Sequence, residues 1–413
     1  MSRTPELGAA LFNTEAAWAE VSNVFGTRVQ TIGPIDVSKL EQQKLVPNNT
    51  TQLRNEITPG VNGVFGGEFE ITMMFTGHGS TTAGAITLNA METLLGIFLG
   101  NVAAASSAGT TASGAGTVSA LATTAANGYV AGALVGPIGA IGDGRGGGQF
   151  SVVNAHAANS MSLLVAIDAV LNAADIIRNP AVAYTTENPT ASHAVQSTRW
   201  RFKSGNLQYD CRGCYPLGFT LTGIGAAGEP TLKFRFGVSV FFETSNAFPD
   251  VTTVQTFPYA AASCGSLFMG ALGVTTRDAT TKFACRTFDL TYELGIVKRE
   301  GHGGLYANQV CVGATRTVDK GTVDFVVDAP DATTAPALVT TWSANTPLHL
   351  CYTWAAEDGK AGALYSPYVV PDGPRPVQFD QGGINSLRFR GRLGADNTKS
   401  TDQTRSALRI ASA

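Results

Sequence analysis

The chain is poor in charge. Asp, Glu, Lys and Arg make up 14% of its 413 residues, against roughly 25% in an average soluble protein. With a net charge of −3, no global field gathers nucleic acid or an anionic membrane. Cysteine is sparse. Cys211, Cys214, Cys264, Cys285, Cys311 and Cys351 show no framework spacing, which argues against a disulfide scaffold and fits a reducing compartment. A membrane-spanning helix needs about 20 continuous apolar residues. The best run, Tyr129 to Ile141, is shorter and contains Pro137, so no membrane partner is expected. The start, MSRTPELGAALFNTEAAW, has no basic-then-apolar leader, so synthesis in the cytoplasm is expected.

Catalytic signatures are equally scarce. Neither a phosphate-cradling Walker loop nor a G-x-S-x-G nucleophile elbow occurs,. His78, His156, His193, His302 and His349 are scattered singly, and each reads as a surface or loop histidine. Gly142, Gly144 and Gly147 fit G-x-G-x-x-G but sit in a Gly-rich loop that opens no helix,. Cys211 and Cys214 form a lone C-x-x-C, better read as a strand-borne thiol pair than as a metal site,. No enzyme activity, cofactor or metal is expected.

What the sequence does contain is alternation and glycine. Phe69, Ile71, Met73 and Phe75 oppose Glu68, Glu70 and Thr72. Leu232, Phe234, Phe236, Val238, Val240 and Phe242 oppose Lys233, Arg235 and Ser239. Further on, Phe288 to Ile296, Val323 to Val327, Leu348 to Trp354 and Leu387 to Phe389 repeat the habit, the third opposing His349 and Thr353. Trp200 and Phe202 alternate with Arg199, Arg201 and Lys203. Period-two patterning puts one face in a core and one in water. An all-β fold of antiparallel sandwich or barrel type follows, with a few short helices. The expected helices run near Thr87 to Leu99 with Gly100 as the stop, from near Thr334, over residues 4 to 25, and from Leu163 to Arg178,.

The 47 glycines and the low charge suggest that much of the surface lies against other subunits,. The competing reading is an ordinary secreted all-β domain. No residue between Glu92 and Asp143 is charged; this insertion, about 93–142, reads as an extended tongue on a neighbouring subunit, or else as a linker. The two halves also echo each other. GEFEITMMF and GTVDFVVDA each lead to a short helix, and each half later carries a basic-faced strand, TLKFRFGVSVFF or SLRFRGRL,. The resulting division is 1–60 for an N-terminal arm and first strands, 61–245 for a first module and 246–413 for a second.

Three segments resemble the tail tube (major tail) proteins of long-tailed bacteriophages, and of these the tandem two-module type. They are RVQTIGPIDVSKLEQQKLVPNNTTQ, GCYPLGFTLTGIGAAGEPTLKFRFGVSVFFE, and the run from FDLTYELGIVKREG through APALVTTWSANTPLHLCYTW to FDQGGINSLRFRGRLGADNTK. The charge-free stretch and the insert from 101 to 196 depart from the pattern. The resemblance implies rings of three two-module chains, or six if each chain is one module, stacked into a hollow tube. It further implies a place in the virion tail, contacts with tape measure, terminator and tip proteins, and genomic DNA passing through without sequence-specific binding. A conduit should not grip DNA, since each Lys or Arg on a phosphate adds salt-dependent affinity. Glu68, Glu70, Asp324 and Asp328 are therefore expected to face the lumen. Arg388, Arg390 and Arg392, which lack aromatic partners for base stacking, are expected at inter-subunit contacts with Gly100 and Gly142, the arginines pairing with acidic strand faces. The rival function is a carbohydrate-binding adhesin or spike. Its exposed aromatic platforms are not evident, because Trp18, Trp200, Trp342 and Trp354 mostly fall on apolar faces.

Overall fold

A computed structural model describes residues 7–19, 27–33, 35–45, 61–77, 88–103, 106–124, 131–138, 149–173, 175–186, 195–204, 207–225, 229–244, 266–276, 281–300, 311–328, 334–354, 360–372, 378–381, 384–399 and 401–413. Among them antiparallel strands dominate.

One run of strands forms a front layer. Its members are β3 (Asp36–Leu45), β4 (Val61–Met74), β14 (Leu207–Gly225), β15 (Thr231–Val238), β19 (Cys285–Glu293), β22 (Lys320–Asp328), β25 (Gln378–Gln381) and β26 (Ile384–Gly394). The pairings give the spatial order β3-β4-β15-β14-β19-β22-β26-β25. The expected alternation holds here: Phe69, Ile71, Phe234, Phe236, Phe219, Leu290, Phe325 and Phe389 are all buried in one core.

The apolar face is covered by two helices and a second layer. Helix α1 (Ala90–Leu99) starts at an Asn89 capping box. Asn89 Oδ1 accepts from the Glu92 N–H, and Glu92 Oε2 accepts from the Asn89 N–H. It ends at Gly100, whose φ of 106 is the left-handed cap that glycine tolerates,. Phe98 on this helix reaches the rings of Phe234 and Phe236 at 4.9 and 5.1 Å. Helix α2 (Thr334–Ser343) seats Trp342 against Phe389 at 5.1 Å. Helix α3 (Asp402–Arg405) is a single turn.

The second layer comprises β5 (Gly100–Ala103), β12 (Ala181–Thr185), β27 (Arg409–Ser412), β24 (Gly362–Pro371), β23 (Leu348–Trp354), β17 (Ser266–Ala271) and β18 (Lys282–Phe283), paired in that order. Strand β24 turns the corner by also pairing with β26. On the other flank β2 (Thr27–Ile32), β1 (Leu7–Thr14) and β13 (Thr198–Ser204) join the first part of β14, which also holds β16 (Val240–Thr244). A separate hairpin pairs β20 (Ile296–Lys298) with β21 (Ala314–Arg316).

The insert from 101 to 196, which holds most of the charge-free stretch, folds on itself. Its strands β6 (Ser106–Thr111), β7 (Ala120–Ala122), β8 (Leu134–Ile138), β9 (Gln149–Ala157), β10 (Ser160–Leu163) and β11 (Ile176–Asn179) form a six-stranded sheet in the order β6-β11-β8-β9-β10-β7. It has its own core around Leu121, Val135, Ile138, Val153, Met161 and Ile177. Leu134, Phe150, Val152 and Val165 then pack on Phe268, Cys351, Ala363 and Tyr365 of the second layer. The expected tongue is thus corrected: its small and β-branched residues build a sheet seated on the chain's own back.

That seating has a consequence for β23. All seven of its residues are buried, because the core lies on one side and the insertion on the other. His349 and Thr353, read from sequence as a wet face, are 3% exposed. His349 is therefore no surface histidine. It contacts the Val274 carbonyl oxygen at 2.8 Å, and burial lowers its pKa.

Two expected helices are strands or turns instead. Residues 7–14 form β1, paired on both edges, and its backbone bonds outweigh a short helix that is marginal alone,. Over 163–178 the chain leaves β10, turns, and enters β11; the Asp175 carboxylate accepts from the Asn172 N–H at 2.7 Å, a local bond that competes with helix,. The long alternation through TLKFRFGVSVFFE also breaks. At Ser239 the phase flips, so Phe241 is buried and Phe242 is 37% exposed. The Ser239 hydroxyl donates to the Gly213 carbonyl and accepts from Trp18 Nε1, which fixes the break.

Candidate functional site

The site is the outer face of the front layer, where the alternation that buries phenylalanines turns every second side chain outward. Register fixes which groups meet. Asp36, Glu70, Arg235, Gly218, Glu293 and Lys320 stand side by side across six strands. A second row runs Thr72, Lys233, Thr220, Thr291, Thr322 and Arg392. Both rows cross the β14–β19 boundary without a break. That boundary is close-packed: a Cβ at Gly218 would lie 2.6 Å from the Tyr292 carbonyl oxygen.

Opposite charges lie across several of the pairings,. Lys39 reaches Glu68 and Glu70 at 3.9 and 3.8 Å, and Lys233 also pairs with Glu70. Across the boundary Arg235 approaches Glu293 at 4.0 Å. Arg388 makes a two-pronged contact with Asp324, Nε at 2.9 Å and Nη2 at 2.7 Å. Arg392 donates to Asp372 at 2.8 Å, and Arg286 pairs with Asp328. The hydrogen bond from Arg392 holds the Asp372 carboxyl below its ordinary range. Asp289, opposite Asp324, has its carboxyl pushed up by partial burial and then by that like charge, with Arg388 offsetting part of it.

Glu68, Glu70, Asp324 and Asp328 therefore share one face, as the sequence suggests. Arg388, Arg390 and Arg392 share it too. The arginines were expected to meet acidic faces of other subunits; within this chain Arg388 and Arg392 already do so. Arg390 lies between Asp324 in register and solvent, and forms no ion pair among the described residues. Gly100 caps α1, and Gly142 lies outside the described residues. So do His78, His193, His302 and the G-x-G-x-x-G glycines.

Sequence reading missed a buried cluster at the flank. Arg199, 2% exposed, donates Nε to Asp210 Oδ1 at 2.8 Å, and its Nη2 binds Oδ2. Arg201 and Arg212 each reach Asp210 at 3.2 Å. Burial alone would raise the Asp210 carboxyl, but the hydrogen bonds from Arg199 and Arg212 outweigh it and hold it low. Glu15 accepts from the Gly213 and Ala19 N–H groups at 3.0 Å, and burial pushes its pKa up. Cys211 and Cys214 are buried free thiols beside this cluster, brought to one side by one extra residue in β14 around Gly213, whose φ is 57. A readable signal existed. Arg199 and Arg201 precede an S-G-N turn sequence with Asp210 beyond it, and hairpin register places Arg201 opposite Asp210.

Chemically the face is a sheet of mixed, largely paired charge. Among the described residues no three His, Cys, Asp or Glu side chains converge as metal ligands. Among the described residues no helix is long and apolar enough to cross a membrane. No protein-family model matches the chain, and no curated protein matches it in sequence.

Proposed function

We propose that this chain is a non-enzymatic structural protein of a phage virion tail, self-assembling into stacked rings that form a hollow tube for genome delivery. One observation carries this reading. In the front layer β3-β4-β15-β14 is followed by β19-β22-β26-β25, and chain order within each four is the same. In both, the first strand pairs with the second, a helix follows the second, and a hairpin supplies the fourth and then the third. The two sets are joined by β14 lying beside β19.

Read as two copies of one module, this is a head-to-tail joint: the last strand of one module pairs with the first of the next. The same joint is then available at the ends. Among the described pairings β3 has no partner but β4, and β25 none but β26. Unpaired strand edges seek partners, and a heterologous contact closes into a ring when its rotation permits. Three such chains would make a pseudo-sixfold ring whose inner wall is the charged face. The expected tape measure, terminator and tip contacts belong to this proposal.

The lining then differs from a purely acidic bore. Its arginines are largely committed to carboxylates on the same face, so they are poor ligands for passing phosphate, while the acids are not repulsive in bulk. The adhesin reading has less support: Trp200, Trp342 and Trp354 are buried, leaving no tryptophan platform among them. Negative-stain imaging of concentrated, purified chain tests the proposal. Rings or tubes with a central bore are expected; compact particles without a bore at every concentration would overturn it.

A further inference from the structure

Where the insertion meets the second layer, the surface opens into a cleft of about 570 Å³. Small-molecule sites span roughly 300–1,000 Å³. At its floor is Arg409, only 1% exposed, with no carboxylate bound to it among the described residues. Its donors go instead to Ser406 Oγ at 2.9 Å and to the Gly132 and Thr404 carbonyls at 2.8 Å each. The guanidinium lies 5.0 Å from the centroid of the Tyr365 ring. Three of five N–H groups are thereby used. Burial pulls the Arg409 pKa down to about 10, so the group stays charged at neutral pH.

These contacts tie the insertion to the C-terminal segment, which is a sufficient structural role for Arg409 alone. They do not account for the rest of the cleft. Lys399 is exposed on its lining and makes no ion pair among the described residues. Asp396 is occupied by the Thr398 N–H and hydroxyl at 3.0 and 2.6 Å. Two cations against one anion leave a surplus of one positive charge. Asn154 and Gln403 present amides with no hydrogen-bond partner among the described residues, and the half-buried Tyr184 adds an aromatic wall.

We propose that this cleft binds a monoanionic, hydroxyl-rich ring compound of the sugar-acid class, a hexuronate being the simplest example. Its carboxylate would match the surplus charge of Lys399 and Arg409. Its hydroxyls would meet the Asn154 and Gln403 amides, and its ring would lie against Tyr184. A neutral sugar leaves the charge unmatched; inorganic phosphate leaves the amides and the aromatic wall unused. The inference does not rest on the assembly proposed above.

The test titrates the full chain with glucuronate, glucose and inorganic phosphate, by calorimetry and saturation-transfer NMR. Saturable glucuronate binding is expected, with glucose and phosphate at least fivefold weaker. Lys399→Gln and Asn154→Ala, both at exposed positions, should each weaken glucuronate by about fivefold, the equivalent of about 1 kcal/mol, with unchanged melting temperatures. Absence of saturable glucuronate binding would overturn the proposal. So would equal binding by phosphate or glucose, or unaltered affinity in both variants.

Discussion

Removing carboxylates from the front face should turn it into a DNA-binding surface. Take the triple variant Asp324→Asn, Asp372→Asn, Glu70→Gln. It releases Arg388 from its two-pronged contact, Arg392 from its single bond at 2.8 Å, and Lys233 from Glu70. The fold should survive. The Arg388 and Lys233 side chains are 65% and 48% exposed in these pairs, and exposed pairs contribute about 0–1 kcal/mol each. The effect on duplex DNA is larger because it is collective. Each cation placed on a phosphate adds about −0.9 to the slope of log K against log salt. Three freed cations should make the variant's slope steeper than the parent's by about −3, the parent keeping Arg390 as its unpaired arginine,. Fluorescence anisotropy with a labelled duplex, from about 50 to 200 mM salt, measures both. If the parent already binds with the variant's slope, the pairs do not mask the arginines and the account of the lining is wrong. If neither binds, the freed cations do not reach phosphate from this face, and the same account fails.

Other perturbations probe the fold and its joints. Asp210→Asn leaves Arg199 buried without its counter-charge and should destabilise the chain by about 3–5 kcal/mol in denaturant titration. Phe98→Ala removes a ring packed among Phe219, Phe234 and Phe236 and should cost about 3–5 kcal/mol by the same assay. Gly67→Ala should release the β3 edge, since φ is 137 and the new Cβ would meet the Lys39 carbonyl oxygen at 2.0 Å; hydrogen exchange of β3 amides should accelerate, and ring formation in imaging should fail. His349 titrates with a definite sign. Its pKa is lowered in the fold, so below the ordinary value of about 6.5 the unfolded chain binds the extra proton and stability falls with pH,. Melting temperatures between about pH 7.5 and 5 should drop less in His349→Phe than in the parent; identical slopes would refute the assignment.

The legible parts of the fold were those where one face is wet. Phe234, Phe236, Lys233 and Arg235 could be assigned from period alone because water lies on one side of β15. Helix α1 was readable too, since Leu95, Phe98 and Gly100 carry spacing and stop together. Legibility ended where tertiary contacts replace water. In β23 both faces are covered, so His349 sits as deep as Leu350, and no pattern along the strand records what lands on its back. The phase change at Ser239 depends on Trp18 and Gly213, each far away in sequence. Of the site, the four acids and three arginines were found by residue type. Their sharing of one face required the pairing of β22 with β26, which sequence order leaves open.

The low charge also has an origin within the single chain. Surface lying against other subunits is the inference from composition, because interface cores shed charge. The layering supplies much of it within one chain. The front layer has one dry face, the second layer has two in β23 and β27, and the insertion adds a core and an apolar underside. A three-layered chain has more dry faces per residue than a two-layered one, and each removes positions at which charge is tolerated. The front face keeps charge, much of it paired, and there the strand order repeats. Low charge alone therefore cannot argue for assembly. Assembly turns instead on the strand edges, β3 and β25 in particular, and on whether β25 of one copy lies beside β3 of another as β14 lies beside β19.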